Sequence, residues 1–188
     1  MNTLISFYNR VASLLETASV FLVPTLARLV FAAVLLIYFW SSALTKLGPG
    51  ITGFLFPSDG AYIQIFPKAA EAFGYDFSQF GAFHWLVAIA GTWAEFLLPF
   101  LIVVGLFTRL AALGMIGFVV VQSATDVLGH GVTGDDLGSW FDRASDALIL
   151  DQRALWVFLL LVLVVRGAGA LSVDAVLSRR INPDSQGS

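Results

Sequence analysis

The chain has no cysteine in its 188 residues. That excludes structural disulfides, thiolate metal sites and thiol redox chemistry within the chain itself. Charge is scarce too, at 12% of residues against about 25% in globular domains. The basic residues form no run, so nothing points to nucleic acid as a partner. No phosphate loop, dinucleotide fingerprint or Ser/His/Asp order is found. Gly134-Asp135-Asp136 lacks the alternating ligands and closing glutamate of an EF-hand and reads as a solvated loop. The first twenty residues mix Asn2, Arg10 and Glu16 with apolar residues, unlike a cleaved signal peptide.

What the chain has in excess is apolar residues, 58% of the total against roughly 45–50% in globular proteins. They gather into runs of about 20 residues, the helical length needed to cross a hydrocarbon core about 30 Å thick. The expected fold is therefore all-α, an integral membrane four-helix bundle forming one domain over residues 1–188. Its spans are expected near 24–47, 83–107, 109–129 and 153–171, with 175–188 as a cytoplasmic tail. Pro24 suits the first turn of span one, where its missing N–H does no harm. Ahead of it, Thr3 to Val20 reads as an amphipathic interfacial segment with Leu4, Phe7, Leu14 and Leu15 toward lipid.

Basic residues set the orientation. With both termini inside, Arg10, Arg28, Arg109, Arg166, Arg179 and Arg180 fall on the cytoplasmic side. Lys46, Lys68, Arg143 and Arg153 fall outside, a six-to-four division. The turn Leu106–Arg109 forces spans two and three into an antiparallel hairpin. The aromatic-rich loop from Gly48 to Ala82 is expected to fold over the bundle, with a short interfacial helix over Ala61–Phe73.

Glu95 is the only residue charged at pH 7 between Phe83 and Phe107. At 100° per residue it shares a stripe with His84, Gly91, Leu98, Ile102 and Gly105. Arg28 and Lys46, eighteen apart, return to one face of span one. Gln122, Asp126 and Gly129 align near the end of span three, followed by His130. Intramembrane polar groups generally face a bundle interior, so these stripes are expected to converge there.

Arg28 is the candidate partner of Glu95, their alpha carbons differing in depth by about 10 Å. Glu95 is then either half of a structural ion pair or a working group, as proton carrier or ligand contact; a third reading leaves it nearer water. Pro99 releases the Glu95 carbonyl from the helix ladder. His84 and His130, with Asp126, are the metal or haem candidates. Two histidines without a sequence-local ligand pair fall short of such a site, and hydrogen-bonded interfacial histidines are the commoner case. Trp85, Trp93 and Phe96 surround the same stretch and, with His84 and Glu95, suit a quinone head.

The pattern Arg28…Ser41-Ser42…Lys46-Leu47 is followed by Glu95 and then Gly105-Leu106-Phe107-Thr108-Arg109-Leu110-Ala111-Ala112. It closes with Gly167-Ala168-Gly169-Ala170-Leu171-Ser172-Val173-Asp174. In these residues the chain resembles the DoxX family, the matched positions being Arg28, Lys46, Glu95, Gly105, Arg109, Gly169 and Asp174. Family members usually carry glycine where Ser41 or Ser42 stands. The resemblance implies a multi-pass protein of the bacterial inner membrane. It implies an accessory subunit rather than a self-sufficient enzyme, anchoring a redox or stress-response module. A redox subunit is then the protein partner and quinone the cofactor, with haem or metal not expected. The alternatives are a non-enzymatic binding or transport protein for a lipid, small hydrophobic molecule or metal ion, or a structural scaffold. Small-residue stripes serve within one chain or between copies, so a homo-oligomer remains open.

Overall fold

The computed structural model describes residues 2–181. Its helices are α1 (Asn2–Phe31), α2 (Ile37–Lys46), α3 (Asp59–Ile65), α4 (Pro67–Ala72), α5 (Ala82–Val104), α6 (Thr108–Ala124), α7 (Arg153–Arg166) and α8 (Val173–Ile181). Turns of π-helix join α1 to α2 (Ala32–Leu36), extend α6 (Thr125–Gly129) and lead into α7 (Leu148–Gln152). No strand is found among the described residues. Four stretches are long and apolar enough to cross a bilayer: Thr3–Lys46, Ala82–Val104, Thr108–Gly129 and Leu148–Arg166.

The spans close into a ring: α2 packs on α5, α5 on α6, α6 on α7, and α7 on α1. Phe31, Leu35, Phe39, Met115, Leu160 and Leu163 fill its centre. Leu29, Val34, Leu86, Leu113 and Leu155 are exposed on the outside of the same helices. In lipid such a surface carries no penalty, and close packing rather than apolarity holds the helices together. The ring has a loop end, carrying the two long connections, and a hairpin end, where α5 turns into α6.

Three boundaries differ from expectation. Span one does not begin at Pro24: α1 starts at Asn2 and runs through the proline without a break. Only the bond to the Val20 carbonyl is forfeited, and the ring is buried beside Gly169, where a Cβ would meet it at 3.0 Å. The expected interfacial segment is thus continuous with the span, and its Leu4, Phe7, Leu14 and Leu15 are exposed. Span four starts at Leu148, five residues before Arg153, because Asp151 accepts the Ala147 N–H and starts the helix early. It ends at Arg166 rather than Leu171, stopped by Gly167 at φ +77°. Finally, the expected tail is helical in α8 as far as Ile181; the rest of it lies outside the described residues.

The first loop does lie over the bundle. Its expected helix is divided into α3 and α4 at Phe66, with Pro67 opening the second. Indole N–H groups on α5 hold the loop down: Trp85 donates to the Leu55 carbonyl and Trp93 to that of Phe54.

At the hairpin end, α5 finishes with Gly105 in the left-handed region (φ +73°), its N–H on Ile102 and that of Leu106 on Leu101. Beta carbons are barred at Gly105, where one would come within 2.5 Å of Ser172 and 2.9 Å of Arg28. Asp174, from α8, caps the start of α6: its carboxylate accepts the N–H groups of Phe107 (2.8 Å) and Thr108 (3.0 Å). Those N–H groups have no partner within their own helix, and the helix dipole favours a negative charge there. Asp174→Ala is expected to cost about 1–2 kcal/mol, the size of a lost helix cap. A drop in the thermal midpoint of the purified protein in detergent checks it, and Asp174→Asn should recover part of the loss.

Candidate functional site

Glu95 lies on the inward face of α5, in the stripe Ala88, Thr92, Glu95, Pro99, Ile102. Steps of four and three along that stripe keep it facing one way. The carboxylate is 2% exposed and its partner is Lys46, 6% exposed, at the end of α2. Lys46 Nζ donates to Oε2 at 2.9 Å and Oε1 at 3.1 Å. It also donates to Ser42 Oγ at 2.7 Å, and that hydroxyl donates in turn to Glu95 Oε1 at 3.0 Å. Ser42 thus closes a three-membered ring of charge-assisted hydrogen bonds.

The expected Arg28–Glu95 contact is not formed. Arg28 instead crosses the hairpin end: Nε donates to the Ile102 carbonyl at 3.0 Å and Nη2 to that of Val103. Nη1 donates to Ala168 at 3.0 Å and Leu171 at 2.6 Å. Ile102 and Val103 supply carbonyls of the last turn of α5, which have no N–H four residues on within the helix; that of Ile102 also accepts the Gly105 N–H at 3.2 Å. The difference traces to the π turn at Ala32–Leu36. A turn closing i→i+5 takes in an extra residue and puts the faces on either side out of register by about 100°. Arg28 and Lys46, aligned on a regular helix, therefore serve different sites. The structure shows the consequence: Ala27, Phe31, Leu35, Phe39 and Ala43 are all buried at a strict spacing of four, although interleaved residues such as Leu29, Val30 and Val34 are equally apolar and the sequence does not single these five out. A regular helix would drift by about 40° at each such step.

The Lys46–Glu95–Ser42 ring borders a cavity of about 460 Å³ toward the loop end. Its walls are Val87, Ala90, Gly91, Ala94 and Leu98 from α5 facing Gly114, Gly117, Phe118 and Val121 from α6. A second polar group closes it near the loop: Gln122, Thr125, Asp126 and His130 on the span-three side, Gln64 and Ile65 on α3. Asp126 is itself paired, to Arg153 at 2.5 Å. Arg153 is buried and also donates to Ser123. The sequence pattern did not disclose this pair, and Arg153 was expected only as a topological marker. Opposite charges at matching ends of adjacent antiparallel spans were the available signal.

Of the expected residues, the structure gathers Glu95, Lys46, Gln122, Asp126 and His130 around one cavity. His84 stands apart, its ring among Phe66, Phe73, Phe80 and Phe83 at centroid distances of 4.9, 6.4, 4.9 and 5.7 Å. Nearby, burial and then Asp59 raise the Tyr62 phenol above its usual range, so it stays a neutral hydroxyl. His130 bonds the Gln64 carbonyl at 3.0 Å. A carbonyl only accepts, so Nε2 carries the proton. His84, His130 and Asp126 do not converge, and no group of three metal-ligating side chains is found among the described residues. Trp85, Trp93 and Phe96 do not line the cavity; the two indoles are engaged in holding the first loop. Arg109 is exposed on α6 and lies over Gly167, where a Cβ would meet its Nε at 3.3 Å.

Six of the seven residues named for the family pattern thus divide in two, Arg109 standing outside both groups. Arg28, Gly105, Gly169 and Asp174 build the clasp at the hairpin end, and Lys46 with Glu95 builds the buried pair. A family model described as DoxX matches residues 23–128. That interval contains Arg28, Lys46, Glu95, Gly105 and Arg109, while Gly169 and Asp174 lie beyond it. No curated protein and no solved structure matches the chain. With the match extending over more than half of the chain and four helices fit to span a bilayer, this is a multi-pass membrane protein and a member of the DoxX family.

Proposed function

We propose that the chain is an accessory membrane subunit of a redox or stress-response module, and that its cavity holds the head of a neutral, lipid-soluble molecule of the quinone class. The cavity carries this reading. Its volume lies in the range of small-molecule pockets, and it combines mainly apolar walls with a few polar groups. Both charged pairs at its ends are internally neutralised, Lys46 by Glu95 and Asp126 by Arg153. A neutral ligand fits such a lining; a free ion would have to break one pair.

The way in supports a lipid-soluble ligand. Ala90, Gly114, Gly117 and Val121 border the cavity and are exposed on the outside of the bundle. All four belong to spans fit to cross the bilayer, so the opening between α5 and α6 faces acyl chains. The gap exists because side chains are missing there: a Cβ built on Gly117 meets nothing within 4 Å. In this reading both termini lie in the cytoplasm of a bacterial inner membrane, and the redox centre belongs to a partner subunit.

Gly117→Phe tests the reading. The new ring has open space, so the thermal midpoint should stay within a few degrees. Binding of a decyl hydroquinone or decyl benzoquinone, measured by titration calorimetry in detergent, should weaken by about tenfold or more as the ring fills the opening. A folded variant that binds both as the parent does would refute side entry into this cavity.

A further inference from the structure

The first helix is far longer than its span requires. Arg28 is fastened at the hairpin end, and Leu4 stands about 36 Å before it along the helix axis, at about 1.5 Å for each residue. The headgroup layer beyond the hydrocarbon adds only about 5–8 Å on a side. Because α1 runs through Pro24 without a break, it carries its first turns into water. Within that stretch Leu4, Phe7, Val11, Leu14, Ala18 and Phe21 recur at alternating spacings of three and four, and none of the six is buried. Such spacing, kept here over about two and a half heptads, is that of the a and d positions of a coiled coil. The stripe is centred about 140° around the helix from Ala27 and Phe31, which pack into the chain's own bundle. It therefore points away from that bundle. Ser6, Asn9, Arg10, Ser13, Glu16 and Thr17 take the opposite side.

We infer that this stripe is the seam of a parallel coiled coil with a second copy of the chain. Both copies enter one bilayer the same way round, so their first helices leave it parallel and in register, a facing a and d facing d. Arg10 and Glu16 are the only charged residues between Asn2 and Ala27, and both lie off the seam. Nothing at the contact therefore repels a like copy. The same two charges argue against a lipid surface as the cover. One arginine balanced by one glutamate makes no basic face to draw the helix onto anionic headgroups, and lying there would need a sharp bend at Pro24, where the helix is continuous. Packing allows the pair: since the stripe points away from the bundle, the partner's helix approaches without meeting the other spans. Exposed Leu22 and Leu29 prolong the same side of α1 toward the membrane, so the seam continues along span one. The inference does not depend on what the cavity holds.

The chain has no cysteine, so single cysteines report contacts without background. Phe7→Cys, Val11→Cys and Leu14→Cys put the thiol on the seam, while Asn9→Cys, Ser13→Cys and Glu16→Cys put it opposite. All six positions are exposed, so the fold tolerates each change. Each full-length variant is oxidised with copper phenanthroline in phospholipid vesicles at a low protein-to-lipid ratio, and the disulfide-linked dimer is read on a non-reducing gel. Facing a or d residues come within disulfide reach and residues on the far side do not, so the seam positions should link about tenfold more than the others. Equal yields from the two sets would mean random collision and would overturn the pair. No dimer at any position would overturn it as well. In that event a fluorescent maleimide on Leu14→Cys tells what covers the stripe: quenching by brominated phospholipid means lipid, and its absence a different protein.

Discussion

Lys46→Met is expected to destabilise the protein by about 3–5 kcal/mol, the cost of leaving one member of a buried ion pair without the other. Glu95 would keep one hydrogen bond, from Ser42 at 3.0 Å, in a site where it is 2% exposed. Thermal unfolding in detergent, followed by tryptophan fluorescence, should show the loss as a large fall in midpoint. Pairing the substitution with Glu95→Leu removes both charges and should restore much of the stability, since apolar replacement of a whole buried pair is often neutral or better. The double variant then separates the two roles of the pair. It should fold while binding cavity ligands less well, because one polar end of the cavity has gone. A double variant as unstable as Lys46→Met alone would show that the charges are not the source of the loss.

The second large effect is expected at Arg28, where Arg28→Met withdraws donors from four carbonyls at once, those of Ile102, Val103, Ala168 and Leu171. The Ile102 carbonyl keeps the Gly105 N–H and that of Leu171 is exposed, so the loss falls mainly on Val103 and Ala168. At about 1–3 kcal/mol for each buried acceptor left unsatisfied, the total should be at least about 2 kcal/mol. Arg28→Lys keeps the charge but not the planar fork that reaches several acceptors together, and should recover less than half. The same thermal assay reports both. A lysine variant as stable as the parent would mean that the charge alone matters. The loss should appear in stability and leave ligand affinity nearly unchanged, because Arg28 does not line the cavity.

The two variants also mark how far the sequence could be read. Span positions follow from hydropathy, and Glu95 announces itself as a lone carboxylate in an apolar stretch. Its partner was not legible, because a regular helix puts Arg28 and Lys46 on one face and the π turn does not. The four-residue spacing of the buried Ala27, Phe31, Leu35, Phe39 and Ala43 records the extra residue in the structure, but in a span apolar almost throughout it does not stand out from the sequence. Asp174 capping α6 joins groups 66 and 67 residues apart, and no local pattern encodes such a contact. The cavity was hidden for another reason. It is made by what Gly114 and Gly117 lack, and glycine in a membrane helix equally signals close packing. Of the polar residues expected inside, those on α5, α6 and the end of α2 were brought together because their stripes face the ring. His84 was not, since at the loop end it meets the phenylalanines of the first loop instead.

The long first helix has a consequence for the membrane around it. Arg28 and Lys46 stand eighteen residues apart, about 27 Å along the axis, close to the thickness of a bilayer's hydrocarbon layer. Basic residues near span ends usually absorb thickness differences by snorkelling toward the headgroups. These two have no such freedom, because each side chain is fastened inward, one to carbonyls at the hairpin end and the other to Glu95. The span is a ruler with both ends pinned. Mismatch must then be taken up by tilting the whole bundle or by deforming the lipid beside it. A change in bilayer thickness is therefore felt by the clasp and the buried pair together.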